Sequence, residues 1–196
     1  VYVAARASSA IDLFARDTGT GELTFVASYV DGVADLDGFG GAAGLAISPD
    51  GLHLYATGAT DDALAVFARD TATGVLTAVE VQRESDEGVD GLDGATAVAV
   101  SADGQHVYVA RLDDDALAVF SRDAETGALT YVMRLKDGFG ELDLGTIDDP
   151  VAVAVTPDGA QVLVAGALSD TVAVFSRDAA TGAGRLLDGT DFLLHG

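Results

Sequence analysis

Apolar and polar residues follow one another in blocks along this chain. Runs such as Ala97-Val98-Ala99-Val100 and Ala116-Leu117-Ala118-Val119-Phe120 would be apolar on both faces of an extended strand, and glycine-containing turns bound them. Short runs with no 3.6-residue period predict strands covered on both sides, and they exclude helical solenoids and parallel β/α units. The clearest stretch is Val100–Met133 with the residues just before it. There Ala97–Val100 ends a first strand, His106–Ala110 makes a second, Ala116–Ser121 a third and Leu129–Arg134 a fourth. Turns at 101–104 and 123–127 separate them.

The block is one copy of a repeat. The signature F-[AS]-R-D-x-x-T-G begins at Phe14, Phe67, Phe120 and Phe175, at spacings of 53, 53 and 55 residues. A second turn recurs as Ser48-Pro49-Asp50-Gly51, Ser101-Ala102-Asp103-Gly104 and Thr156-Pro157-Asp158-Gly159. Proline presets φ there and glycine accepts a positive φ, as a tight hairpin requires. Ala46, Ala99 and Ala154 share one repeat position and are flanked by larger residues, the small-against-large pattern of wedge-shaped packing. An all-strand unit of this length predicts an all-β fold, a β-propeller of about four four-stranded antiparallel blades.

The predicted blades are 1–37, 38–90, 91–145 and 146–189. Val1-Tyr2-Val3-Ala4 aligns with second strands, so the first blade lacks its first strand. In the last, 184–189 reads as a shortened fourth strand and Thr190–Gly196 as a candidate closing strand. Four blades make either a small closed ring or half of a larger one. A bare sheet edge invites pairing with another chain, so self-association as a dimer or higher assembly is expected.

Charge narrows the partners. Ten basic residues stand against 32 acidic ones, a net charge of −22, and Lys136 is the only lysine. Such a field repels nucleic acid and anionic lipid, and no run approaches the roughly 18 apolar residues of a membrane helix. A protein or cationic ligand remains compatible. The absence of cysteine excludes disulfides.

Loops joining second to third strands share one face with the blade connections, and that face is acidic. It collects Asp61, Asp62, Asp113–Asp115, Asp170, Asp137, Asp143, Asp148 and Asp149. Two connections add Asp31, Asp35 and Asp37, then Asp86, Asp90 and Asp93, on glycine-rich backbone. Hard carboxylate oxygens on bendable backbone suit Ca2+, so these six are the candidate metal ligands, set against the plainer reading of solvated Asp-Gly turns. No bidentate Glu completes an EF-hand, and without cysteine or paired histidines a transition metal is not expected. Arg6, Arg111 and Lys136 are basic residues of that face with no counterparts in the other copies. His53 and His106 share a position that Gln161 fills in the last copy, which reads as a surface site. Arg16, Arg69, Arg122 and Arg177 recur in every copy, so they read as structural cover for a neighbouring acid or carbonyl. No catalytic residue is assigned, and no G-x-S-x-G elbow or Ser–His–Asp order is present.

The elements S-x-D-G-x-x-[VL]-Y-[VA], at Ser48–Ala56 and Ser101–Ala110, and A-[VL]-A-V-F-x-R-D-x-x-T-G resemble those of bacterial lactonase-like propellers. That group includes 6-phosphogluconolactonase-type enzymes and surface-layer proteins with YVTN-type repeats. The resemblance implies a seven-bladed ring, where this chain holds about four blades. Three functional readings follow. The leading one is a non-catalytic extracellular, cell-surface or periplasmic module that assembles or binds partners through its acidic face, stabilised by Ca2+. A lactonase-type hydrolase is the alternative that the resemblance implies. An excised or engineered propeller piece without its own activity is the third, motivated by a start inside a strand without an initiating methionine.

Overall fold

The structure, a computed structural model, describes residues 1–196 apart from Asp35, Ser85, Glu87, 112–115, 137–146 and 192–196. The chain folds into four antiparallel sheets in sequence order, and each sheet is one copy of the repeat. The first contains β1 (Tyr2–Ala5), β2 (Ala10–Arg16) and β3 (Leu23–Val30), with one 3-10 turn at Arg6–Ser8. The second contains β4 (Ala42–Ile47), β5 (His53–Gly58), β6 (Ala63–Arg69) and β7 (Leu76–Arg83). The third contains β8 (Ala95–Val100), β9 (His106–Arg111), β10 (Ala116–Arg122) and β11 (Leu129–Lys136). The fourth contains β12 (Pro150–Val155), β13 (Gln161–Gly166), β14 (Thr171–Arg177) and β15 (Gly184–Asp191). The first sheet has three strands because Tyr2–Ala5 pairs with β2 as a second strand does.

One expectation is corrected. The last strand is not shortened: β15 is eight residues long, like β3, β7 and β11. Thr190 pairs with Val172 and Asp191 with Thr171. Backbone pairing along β14 tolerates the glycines and acids that made this stretch look like a strand end. The rest of the expected closing strand, 192–196, lies outside the described residues.

Each third strand meets its fourth through a bulge just before the signature phenylalanine, at Leu13/Phe14, Val66/Phe67, Val119/Phe120 and Val174/Phe175. A bulge increases local twist, which suits a blade. The inner strands β4, β8 and β12 stand side by side, with β1 beside β4. Gly44 allows that approach, since a Cβ there would lie 2.8 Å from the Thr96 carbonyl oxygen.

Burial separates the middle of the arc from its ends. Every residue of β5 and β9 is buried, whereas β13 alternates and β3 is mostly exposed. Blades two and three are therefore covered on both faces, and blades one and four on one face each. The three apolar clusters lie between successive blades. Ile11 packs with Leu54 and Phe67, Tyr55 with Val107 and Phe120, and Tyr108 with Val162 and Phe175.

A polar clasp closes each of these interfaces. Arg122 donates from Nε to Tyr55 Oη at 2.7 Å and from Nη1 to the Gly104 carbonyl at 2.9 Å. Its Nη2 meets Asp50 Oδ2 and His53 Nδ1, each at 2.8 Å. Tyr55 Oη in turn donates to the Gly127 carbonyl at 3.0 Å. Arg177 repeats the set with Tyr108, Gly159, Asp103 and His106. Arg69 keeps two arms of it, to Tyr2 Oη and the Gly51 carbonyl. Arg122 and Arg177 thus cover a neighbouring acid and a carbonyl and Arg69 a carbonyl, as their repetition suggested, while Arg16 is exposed. The histidine reading is corrected: His53 is 4% and His106 2% exposed, because each ring lies under the arginine of the next blade.

The clasp sets an acid limit on stability. Burial and then the Arg122 charge lower the pKa of His53, and burial and the Arg177 charge lower that of His106. Burial alone would raise the Asp50 carboxyl, but bonds from Ser48, the Leu52 N–H and Arg122 outweigh it and hold it at about 2. Asp103 is held at about 2 by Ser101, the Gln105 N–H and Arg177, again against burial. All four groups have folded pKa values below their ordinary ones. The histidine contribution is therefore complete above the ordinary value of 6.5 and is lost as pH falls through the lowered one. The carboxylate contribution goes only as pH falls below the ordinary 3.8 towards 2. Urea unfolding at pH 7.5 and pH 5 is expected to show a loss at pH 5 that shrinks in the His53→Gln/His106→Gln variant. An equal loss in both proteins would remove the histidines from this account.

Candidate functional site

The loops between second and third strands and the connections between blades meet on one face, and two clusters form there. The first draws on β3–β4 and β5–β6. Asp31, Asp37 and Asp61 each offer a carboxylate oxygen within 4.8 Å of the others. Backbone amides hold these side chains in place. Phe39 N–H donates to Asp31 Oδ1 at 3.1 Å, and Gly40 N–H to Asp61 Oδ2 at 2.9 Å. Arg83, at the end of β7, pairs with Asp37 at 2.5 Å. Burial raises the Asp31 carboxyl against the Phe39 amide bond, and the charges of Asp61 and Asp37 raise it further. Three oxygen donors this close could hold a metal ion.

The second cluster surrounds Arg111, the last residue of β9. It occupies the position of Gly58 and Gly166, so only the third blade projects a guanidinium there. Its side chain is 3% exposed and lies 3.6 Å from Glu84, 3.7 Å from Asp90 and 3.2 Å from Asp93. Arg134 reaches the same Asp90 at 2.6 Å. Glu84 also accepts the Gly91 N–H at 2.9 Å. This is a fixed charge network, acids arranged around a buried cation.

The structure therefore divides the six candidate metal ligands. Asp31 and Asp37 come together and gain Asp61, which the sequence placed on the same face but not in the set. Asp35 lies outside the described residues. Asp86 accepts the Arg83 N–H at 2.8 Å and shapes the turn, while Asp90 and Asp93 face arginines. Among the described residues these last three form no metal-type group. Arg6 is exposed in the 3-10 turn. Asp113–Asp115, Asp137 and Asp143 fall outside the described residues. Asp62, Asp149 and Asp170 sit at positive φ as turn residues. Sequence reasoning left Asp61 out of the candidate set, and the signal lay in its loop, which is Thr60-Asp61-Asp62 here but Leu168-Ser169-Asp170 in blade four.

The sequence model of the family described as "Lactonase, 7-bladed beta-propeller" matches residues 1–88 and 83–190. No curated protein matches the chain. Several solved structures are similar. One, a Bacteroides uniformis protein provisionally assigned as a 6-phosphogluconolactonase, is 20% identical over 97% of this chain and 51% of its own, with a TM-score of 0.79. A Lactobacillus plantarum protein is 25% identical over 92% of this chain and 49% of its own, with a TM-score of 0.75. The periplasmic gluconolactonase of Pseudomonas aeruginosa is 26% identical over 97% and 53%, with a TM-score of 0.66. This chain thus spans about half the length of these proteins.

Proposed function

This chain belongs to the seven-bladed β-propeller lactonase family, and from that premise we propose that its loop face serves the hydrolysis of a sugar lactone. The family match along nearly the whole chain carries the reading. The expectation of a non-catalytic cell-surface module finds no support in the family or in the similar structures, and the lactonase alternative takes its place. The reaction adds water to the lactone carbonyl, breaks the ring C–O bond and returns a proton to the ring oxygen, giving a hydroxy acid. The repulsion from Asp61 and Asp37 that helps raise the Asp31 carboxyl is what a cation placed among the three carboxylates would relieve. Bound by Asp31, Asp37 and Asp61, a hard cation such as Ca2+ would polarise the carbonyl and acidify water. Asp37 and Asp61 then hold position, fixed by Arg83 and by the Gly40 amide.

Charge selects among lactones. A chain of net charge −22 repels a phosphorylated substrate, so a neutral aldonolactone fits better. That choice agrees with the Pseudomonas relative, which is described as a gluconolactonase. The same relative is periplasmic, and we place this chain outside the cytoplasm on that likeness. No helix among the described residues is long and apolar enough to cross a membrane.

The test is proton release from glucono-δ-lactone in a pH-stat, corrected for spontaneous opening, with Ca2+ and with chelator. Asp31→Asn and Asp61→Asn are each expected to reduce the rate about 100-fold. The same variants should lose any rise in melting temperature that Ca2+ gives the parent. No hydrolysis above background for any of a panel of lactones, with or without Ca2+, would sink the reading.

A further inference from the structure

Where glycine follows aspartate, the side-chain carboxyl can meet the next peptide nitrogen with no Cβ in the way. The chain repeats that pair many times, and the fold directs most of these nitrogens elsewhere. In the turns before β5, β9 and β13, Gly51, Gly104 and Gly159 donate to the Ser48, Ser101 and Thr156 carbonyls at 2.8 Å. The carboxylates of Asp50, Asp103 and Asp158 accept from the N–H two residues on, in Leu52, Gln105 and Ala160. In the blade connections Gly32 donates to the Leu36 carbonyl at 2.7 Å. Gly91 donates to Glu84 Oε2 and Gly94 to Asp62 Oδ1, both at 2.9 Å. None of these glycine N–H groups is turned to the carboxyl before it.

Asp37–Gly38 differs from all of them. The Gly38 nitrogen lies 2.9 Å from Asp37 Oδ1, so the amide and the carboxyl of adjacent residues are already in contact. Arg83 holds the other oxygen, Oδ2, at 2.5 Å and so fixes which one faces the amide. The Asp37 side chain is 62% exposed, which gives water access to it. Gly38 itself is pinned against β7: its φ is +86°, and a Cβ there would lie 2.3 Å from Val81 Cγ1.

We infer that Asp37–Gly38 is a self-modification site, at which aspartate closes to a succinimide and reopens as isoaspartate. The Gly38 nitrogen bonds to Asp37 Cγ, and one carboxyl oxygen leaves as water with the amide proton and a proton from solvent. Water then adds to the ring. Opening at Cγ restores aspartate. Breaking the bond between the Asp37 carbonyl carbon and the Gly38 nitrogen gives isoaspartate, whose main chain runs through Cβ and Cγ. Only water takes part, and holding the two groups in contact removes the search that otherwise slows such a ring closure.

The product has one more main-chain carbon at the point where Asp31, Asp37 and Asp61 meet. Val81 lies against Gly38, so the added length falls on Asp37 and carries its carboxylate away from Arg83 and the other two acids. The inference stands apart from the lactonase reading, and its test needs no substrate.

The test holds the folded chain at neutral pH in water labelled with oxygen-18, since each cycle of closure and reopening leaves one labelled oxygen. Mass spectrometry with electron-transfer fragmentation then assigns label and isoaspartate residue by residue. Asp37 is expected to take up label about tenfold faster than Asp50, Asp103 and Asp158. In denaturing urea the four rates should converge, because the contacts that set them apart belong to the fold. Asp37→Glu keeps a carboxylate but would need a six-membered ring, so position 37 should then stay unlabelled. Unchanged circular dichroism during the incubation confirms that the folded state is the one reacting. Uptake at Asp37 no faster than at the other three, or an advantage that persists in urea, would overturn the inference. Labelling of position 37 in the Asp37→Glu variant would overturn it as well, since the exchange would then need no ring.

Discussion

Arg122→Ala is expected to lower the unfolding free energy by about 3 kcal/mol, while Arg16→Ala, the same residue of the same motif, costs less than about 0.5 kcal/mol. The difference comes from what each guanidinium touches. Arg122 has a side chain 1% exposed and four partners on two blades. Its removal leaves Tyr55 Oη and His53 Nδ1 inside the protein without their donor, which costs more than the bonds themselves were worth. Asp50 is 34% exposed and recovers water, so the loss falls at the lower end of the range for a broken buried pair. Arg177→Ala should match Arg122→Ala, and Arg69→Ala should fall between, since among the described residues Arg69 bonds to Tyr2 and the Gly51 carbonyl. Arg122→Lys should recover little, because an ammonium cannot reach a hydroxyl, a carbonyl and a carboxylate in one plane. Equilibrium urea unfolding measures the series. Equal losses for Arg16→Ala and Arg122→Ala would mean that the arginines act within their own turns and not between blades.

Gly127→Ala is expected to cost about 3 kcal/mol, against about 1 kcal/mol for Gly21→Ala. Both glycines end an R-D-x-x-T-G turn at a φ of 79°, so the backbone penalty for a side chain is shared. Their surroundings differ. A Cβ on Gly127 would lie 2.2 Å from His53 Cδ2, whereas on Gly21 the nearest atom is an Arg16 nitrogen 3.9 Å away. His53 cannot yield without giving up its Arg122 contact, so the clash opens the clasp. Gly182, 2.2 Å from His106 Cδ2 by the same construction, should behave like Gly127. Thermal melts of the three variants separate the two contributions. If Gly21→Ala proves as damaging as Gly127→Ala, the loss comes from backbone strain alone.

The turns were legible because their chemistry is local. In Asp123-x-x-Thr126-Gly127 one carboxylate oxygen accepts the N–H groups of Glu125 and Thr126, at 2.9 and 2.8 Å, and glycine takes the positive φ. These contacts are all local, so the D-x-x-T-G pattern makes the same turn in every copy. The strands of blade three likewise begin and end within two residues of the limits that their apolar runs suggest. The site was less legible. Asp31 and Asp37 lie on a loop that the sequence singled out, but Asp61 comes from another loop, and only the packing of β3 against blade two brings it within 4.8 Å. Asp90 and Asp93 looked like their counterparts in the preceding connection. The buried Arg111 beside them, which no other blade has, turns them into ion-pair partners.

By itself, then, the sequence determined the repeat, the strand order and the turns, because a fifty-residue period of apolar runs and Asp-Gly turns has one all-β solution that hides both faces of a sheet. Tertiary structure decided which repeated residues do work across blades. His53 reads as a surface residue until Arg122, 69 positions later, is laid over it. The same holds for the ends of the arc. Arg16 and Arg122 stand at the same place of the F-[AS]-R-D-x-x-T-G motif, yet one is a buried anchor between blades and the other is exposed, since burial and pairing belong to the contact and not to the residue.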